Sequence, residues 1–286
     1  NYTIKMEQQL IEIREQQKAS WNKFSPGWKK WDELFMEHLQ PMGDAIIKQL
    51  NLKHTDIVLD IAAGTGEPGL TIASKVKNGK VFVTDLAEDM LKIAEENASD
   101  KNILNVEFKA CDVSELPYDD NTFDAISCRL GFMFFPDMKL AAKEMARVLK
   151  PGGKISTSVW TVPEKNFWVT AMMSTINKNM DIPAPPAGAP GMFRCGKDGF
   201  IADLFKEVGL KNTEQVEVIG KINCGTADVY WEMMTELAAP VVAALSSADD
   251  MTRQKIKREV FELVNKKYPE GNVVIDSSAY VVCGTK

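Results

Sequence analysis

Val58-Leu59-Asp60-Ile61-Ala62-Ala63-Gly64-Thr65-Gly66-Glu67-Pro68-Gly69 decides the fold of this 286-residue chain. The run starts aliphatic and β-branched around a single carboxylate, as a buried strand does. A glycine-rich turn follows, and Leu70-Thr71-Ile72-Ala73 opens a helix. Strand, glycine turn and helix in that order build a nucleotide crevice, because glycine lets the backbone approach a ligand that a Cβ would hold away. Taken literally, Gly64-x-Gly66-x-x-Gly69 is a dinucleotide fingerprint, with Asp85 near the distance at which an acidic residue is expected. Two residues pull against that reading. Asp60 puts a carboxylate at the mouth of the strand, where a pyrophosphate would be repelled, and Pro68 removes a backbone donor from the turn. A ligand carrying an ammonium group and a ribose suits that carboxylate better.

Outward from this stretch the pattern alternates. Strands are expected at Ile57–Ile61, Lys80–Thr84, Val106–Ala110, Phe123–Cys128 and Lys154–Trp160, and helices at Gly69–Val76, Ala87–Ala98 and Met138–Leu149. Such alternation argues for a parallel α/β sheet with helices on both faces. Lys150-Pro151-Gly152-Gly153 ends the last of these helices before the fifth strand. Upstream, residues 3–20 read as a weakly amphipathic helix, Ser25-Pro26-Gly27 as a turn, and Trp31–Leu39 and Pro41–Leu50 as two further helices. Residues 1–50 are therefore expected to form a helical cap. Downstream, 163–200 contains the proline-rich, lid-like run Pro183 to Gly191, Asp198–Val208 a short helix, 213–219 a strand, 227–268 a polar helical region and Ala279–Gly284 the last strand.

Composition bounds the function. With 34 basic against 40 acidic residues the net charge is −6, which argues against wholesale binding of nucleic acid or an anionic membrane. Cys111, Cys128, Cys195, Cys224 and Cys283 are odd in number and show no zinc spacing, so they are expected to be free thiols in a reducing cytoplasm. No stretch reaches transmembrane length or reads as a signal peptide, and no cluster suggests a metal.

Carboxylates recur at strand ends. Asp85 closes the second strand, where it either accepts both hydroxyls of a ribose or caps the helix from Ala87; Leu86 and Met90 either flank an adenine or pack in the core. Asp112 follows the third strand and either accepts from an adenine amine, with the Val113 N–H on a ring nitrogen, or is a solvated loop residue. Arg129 and Phe132 follow the fourth strand and should face the site, although Arg129 equally suits a structural ion pair.

Together VLDIAAGTGEPG, VFVTD, ACDVSELPY, NTFDAIS and ARVLKPGG resemble the class I S-adenosylmethionine-dependent methyltransferases, in the group with the ubiquinone/menaquinone C-methyltransferases and many small-molecule methyltransferases. The resemblance covers residues 57–160. It implies a Rossmann-like seven-stranded sheet, mostly parallel with an antiparallel last strand, within a domain over 51–286 that carries cap insertions at about 163–200 and 227–268. It implies S-adenosylmethionine as cofactor, with Asp60, Ala62, Gly64 and Gly66 at its methionine and ribose part, Asp85 on the ribose hydroxyls, Asp112 and Val113 at the adenine, and a backbone carbonyl of Arg129 near the methionine. Gly69 has no ligand role in that scheme. After LKPGG the chain departs from the acidic-aromatic pair of the quinone enzymes, running Lys154 to Trp160 as KISTSVW.

Trp21, Phe24, Trp28, Phe132 and Trp160 are the candidate acceptor-binding residues, with Trp31, Trp168, Tyr230 and Trp231 behind them, suiting a flat or apolar small molecule. His38 on a cap helix is the candidate general base, against a structural reading; His54 reads as surface. The expected activity is methyl transfer to such a molecule. A nicotinamide-dependent oxidoreductase and a non-catalytic S-adenosylmethionine-binding protein are the alternatives.

Overall fold

A computed structural model describes residues 2–186 and 188–286, with side chains from Glu7 onward. Ile4 of the expected first helix and Ala187 of the proline-rich run lie outside the described side chains. The strands are β1 (Ile57–Ile61), β2 (Lys80–Asp85), β3 (Val106–Ala110), β4 (Phe123–Arg129), β5 (Leu149–Trp160), β6 (Lys211–Gly225) and β7 (Val273–Thr285). They form one sheet in the order β3-β2-β1-β4-β5-β7-β6. β1 to β5 run parallel, and β7 is antiparallel to both β5 and β6. The strand order reverses between β1 and β4, so a crevice opens at their carboxyl ends.

The helices are α1 (Tyr2–Lys30), α2 (Asp32–Leu50), α3 (Gly69–Lys75), α4 (Glu88–Asp100), α5 (Met138–Val148), α6 (Phe167–Asn179), α7 (Phe200–Glu207), α8 (Ala227–Leu237), α9 (Ala239–Ser246) and α10 (Asp250–Lys267). α5 shows why the regular part reads cleanly: the Asp137 carboxylate caps it by accepting from the Leu140 N–H, and its buried residues Ala141, Ala142, Met145 and Val148 share one face.

The N-terminal third differs from expectation. Ser25-Pro26-Gly27 is not a turn but lies inside α1. Pro26 leaves the Asn22 carbonyl without its helical donor, and the Ser25 hydroxyl donates to that carbonyl at 2.8 Å instead. Gly27 is where α1 crosses α8: a Cβ there would run into the Glu236 carbonyl. Trp31–Leu39 and Pro41–Leu50 are one helix, α2, with Pro41 inside it. α2 lies against β4, β5, β6 and β7, whereas α1 crosses α4 and α8. The region 163–200 holds a full buried helix, α6, and β6 and β7 are far longer than the segments expected at 213–219 and 279–284.

Candidate functional site

The site begins where β1 and β4 end. Ala62 and Leu130, neither a glycine, sit at φ 53° and 60° in the left-handed region. Such conformations cost energy and collect at functional sites. A Cβ on Gly131 would stand 2.9 Å from the Ala62 Cβ, so the two strand ends touch. Between them and the N-terminal helices lies a cavity of about 190 Å³, against the roughly 10–15 Å³ that one water needs.

Asp60 does not line this cavity. Its carboxylate turns back into the protein, fully buried, accepting from the Gly69 N–H at 3.0 Å and the Ser127 hydroxyl at 2.6 Å. Burial pushes its pKa up to about 7, against the pull of those two donors and of the Arg129 charge. Asp60 therefore ties β1, β4 and the start of α3 together. This also gives Gly69 its role, since a Cβ there would stand 2.6 Å from Asp60 Oδ2. Gly66, at φ 110°, likewise faces away from the cavity: its Cβ would meet Leu70 and Ala94 at 2.9 and 3.2 Å.

Ala62, Gly64, Asp85, Leu86, Met90, Asp112, Val113 and Arg129 all line the cavity. The Asp85 carboxylate accepts from the Gly64 N–H at 2.8 Å on one oxygen and the Ala87 N–H at 2.9 Å on the other. It thus braces the glycine turn and the first residues before α4, and each oxygen keeps a lone pair for a ligand donor. Burial raises its pKa. Asp112 accepts from the Ser114 N–H at 2.8 Å and pairs with Arg14 of α1 at 3.2 Å. Arg129 makes no ion pair within 4.0 Å among the described residues; one guanidinium nitrogen lies 3.0 Å from the Met36 sulfur of α2, and burial lowers its pKa. A structural ion-pair role for it is not what the geometry shows.

The far wall is aromatic. Arg14, Gln17, Trp21 and Trp28 form one stripe of α1 facing the cavity, at helical spacing. Trp21 meets Phe134 edge-on at 5.2 Å, and Trp28 meets Phe35 at 5.1 Å. Trp160 at the end of β5 packs on Trp168 of α6 at 5.0 Å, and both line the cavity.

Phe24, Phe132, Trp31, Tyr230 and Trp231 do not reach it. Phe24 is rotated off the α1 stripe into the core, and the kink at Leu130 carries Phe132 against Phe135 and Phe205. The Tyr230 hydroxyl donates to the Trp168 carbonyl at 2.6 Å, and the Trp31 indole N–H to Glu236 at 2.8 Å. His38 is also outside the cavity, fully buried behind Trp160, on which it stacks at 5.8 Å. Burial and the nearby Arg129 charge push its pKa down to about 3, so it is neutral, and its place behind Trp160 keeps it off the cavity where a base would act.

Residues the sequence did not single out include Phe35, Met36 and Leu39 of α2, Met192 after the proline-rich run, and Leu237 to Pro240 at the α8–α9 junction. Nothing local marks them. They share only an apolar character with the core, and the tertiary fold brings them together.

Residues 58–153 match a family model described as a methyltransferase domain. An uncharacterized protein of Mycobacterium tuberculosis is 33 % identical over 171 residues, 60 % of each chain. A ubiquinone/menaquinone biosynthesis C-methyltransferase of Rickettsia conorii is 28 % identical over 271 residues, 91 % of each. The crystal structure of the YcgJ protein from Bacillus subtilis superposes with a TM-score of 0.58 at 21 % identity, covering 86 % of this chain and 97 % of that one, and so shares its fold. Residues 58–153 thus match a methyltransferase domain, on a Rossmann-like fold that the chain shares with that solved structure. The chain spans 60 % of the length of the mycobacterial relative and most of the length of the quinone-biosynthesis one.

Proposed function

We propose that this chain transfers a methyl group from S-adenosylmethionine to a small, partly apolar or aromatic molecule by in-line displacement. The observation that carries this reading is one cavity with two chemically distinct ends. Backbone and carboxylates from the carboxyl ends of β1, β2 and β3 line one end, and Trp21, Trp28, Phe35, Trp160 and Trp168 line the other. The residues at the first end fit the cofactor. The Asp85 lone pairs point to a ribose, Leu86 and Met90 flank an adenine, and Asp112 with the Val113 N–H meets its edge. Ala62, Gly64 and the backbone of Arg129 surround the methionine part. Asp60 and Gly66 shape the turn from behind.

The bound sulfonium supplies an intrinsically reactive methyl group. The protein's own work is then positioning the acceptor and excluding water. Ala62 and Leu130 fix where the two strand ends sit, and the aromatic walls from α1, α2 and α6 orient a flat acceptor. Neither a nicotinamide enzyme nor a bare binding protein accounts as well for a ribose carboxylate beside an aromatic acceptor wall. S-adenosylhomocysteine release with a panel of apolar acids, amines, phenols and thiols tests the reading. Turnover with one class supports it, while cofactor binding without turnover by any supports the non-catalytic alternative.

A further inference from the structure

We propose that the methyl acceptor is an apolar carboxylate held by Arg129, and that one of its carboxylate oxygens is the nucleophile. The inference rests on the methyltransferase reading and narrows it. Arg129 lines the cavity from the end of β4, its guanidinium carries five N–H donors beside Met36 and Gly43 of α2, and its only side-chain hydrogen bond among the described residues goes to the Met36 thioether, a weak acceptor. Glu67, Asp60 and Asp32 act on this half-buried guanidinium only through space, with no ion pair within 4.0 Å among the described residues, and a planar carboxylate is the group that matches its donor fork. Met36 stands on the same helix as Phe35 and Leu39, so the cation lies where the apolar end begins.

The cavity also lacks a base. Among its described lining residues there is no histidine, lysine or tyrosine. Glu67 is held by Lys101 at 3.0 Å and accepts from the Thr71 N–H. Asp85 and Asp112 are braced by backbone donors at the other end. Burial pushes the Cys111 thiol up to about 11. A phenol or carbon acid must lose a proton to be methylated, and no group here is placed to take it. A carboxylate is already ionised at neutral pH. Its oxygen lone pair forms the new C–O bond as the C–S bond breaks, and the C–S pair stays on sulfur and cancels the sulfonium charge. The products are a methyl ester and S-adenosylhomocysteine, with no proton released. The cofactor's own α-carboxylate is the other source of the same chemistry.

The test uses the intact chain with Arg129→Met and Arg129→Lys. Decanoate, phenylacetate and indole-3-acetate are compared with their primary amides, by thermal shift in saturating S-adenosylhomocysteine and by methyl-labelled cofactor, scoring label released as methanol by base. Calorimetry compares S-adenosylhomocysteine with 5′-methylthioadenosine, which lacks the carboxylate. The proposal expects carboxylates but not amides to bind and to yield base-labile label. It expects Arg129→Met to weaken carboxylate binding by about tenfold or more, and S-adenosylhomocysteine binding by less than about twofold, with Arg129→Lys in between. Unchanged binding of 5′-methylthioadenosine reports that each variant is folded, and the acid-against-amide comparison stands on the parent protein alone. Amides binding as well as acids, or no acid binding at all, overturns the proposal. So does an Arg129→Met variant that loses affinity for S-adenosylhomocysteine but not for 5′-methylthioadenosine, because the guanidinium then serves the cofactor. A parent protein that binds neither nucleoside overturns the methyltransferase reading itself.

Discussion

Asp60 and His38 are both fully buried, and their titrations act on stability in opposite directions. The Asp60 carboxyl, pushed up to about 7, keeps a proton that the unfolded chain has already released, so its contribution falls as pH rises from about 4 to 7. His38, pushed down to about 3, refuses a proton that the unfolded chain takes below about pH 6.5, so its contribution falls as pH drops through that range. Between about pH 4 and 6.5 the two slopes oppose, each at most about 1.4 kcal/mol per pH unit. Urea unfolding at a series of pH values checks this. Asp60→Asn should gain on the parent as pH rises from 4 to 7, and His38→Phe should gain on it as pH falls from 6.5 to 4. Differences independent of pH would contradict the assignment. The sequence places Asp60 at the strand mouth but does not say which way its carboxylate turns; that follows from Ser127 one strand over and Gly69 across the turn. Asp85 and Asp112, whose backbones lie at strand ends facing the crevice, were legible because topology alone aims them.

Helix α1 is held over the cavity by charge and by one close crossing. Arg14–Asp112, Lys18–Glu88 and Lys29–Glu96 tie it to the β3 end and α4. Exposed pairs of this kind are each worth about 0–1 kcal/mol and are screened by salt. Raising sodium chloride from about 50 to 500 mM, which shortens the Debye length from about 14 to about 4 Å, should accelerate amide hydrogen exchange in α1 and leave β1 and β4 unchanged. Equal protection of α1 at both would show that packing alone holds it. Gly27→Ala drives a methyl group into the Glu236 carbonyl and should cost about 1–3 kcal/mol, read as a lowered thermal midpoint; an unchanged midpoint would mean that the α1–α8 crossing gives way freely. The turn expected at Ser25-Pro26-Gly27 shows why elements went astray here. Proline and glycine usually break a helix, and only the Ser25 side chain and a neighbouring helix, neither visible in local pattern, reverse that reading. β6 was undersized for a related cause: it is the sheet edge, so its polar residues hide the alternation.

At the scale of the molecule the two ends of the cavity differ in how they are encoded. The end proposed for the cofactor draws mainly on residues 61–131 and follows strand order, which is why its parts could be read as a run of motifs. The aromatic end, proposed for the acceptor, is assembled from α1, α2, α6 and the α8–α9 junction, over a span from Trp21 to Pro240. Its residues are apolar like the core, and chain pattern does not separate a lining Trp28 from a buried Trp231 or Phe24. Among the described residues no helix is long and apolar enough to cross a membrane. On the proposed reading the crevice between β1 and β4 holds S-adenosylmethionine through Asp85. Calorimetric titration of the intact chain and of Asp85→Ala with S-adenosylhomocysteine, and of the intact chain with NADH, tests it most directly. S-adenosylhomocysteine should fill a single saturable site, NADH none, and the variant should bind about tenfold or more weakly. No heat from the intact chain, or equal affinity in Asp85→Ala, would contradict it.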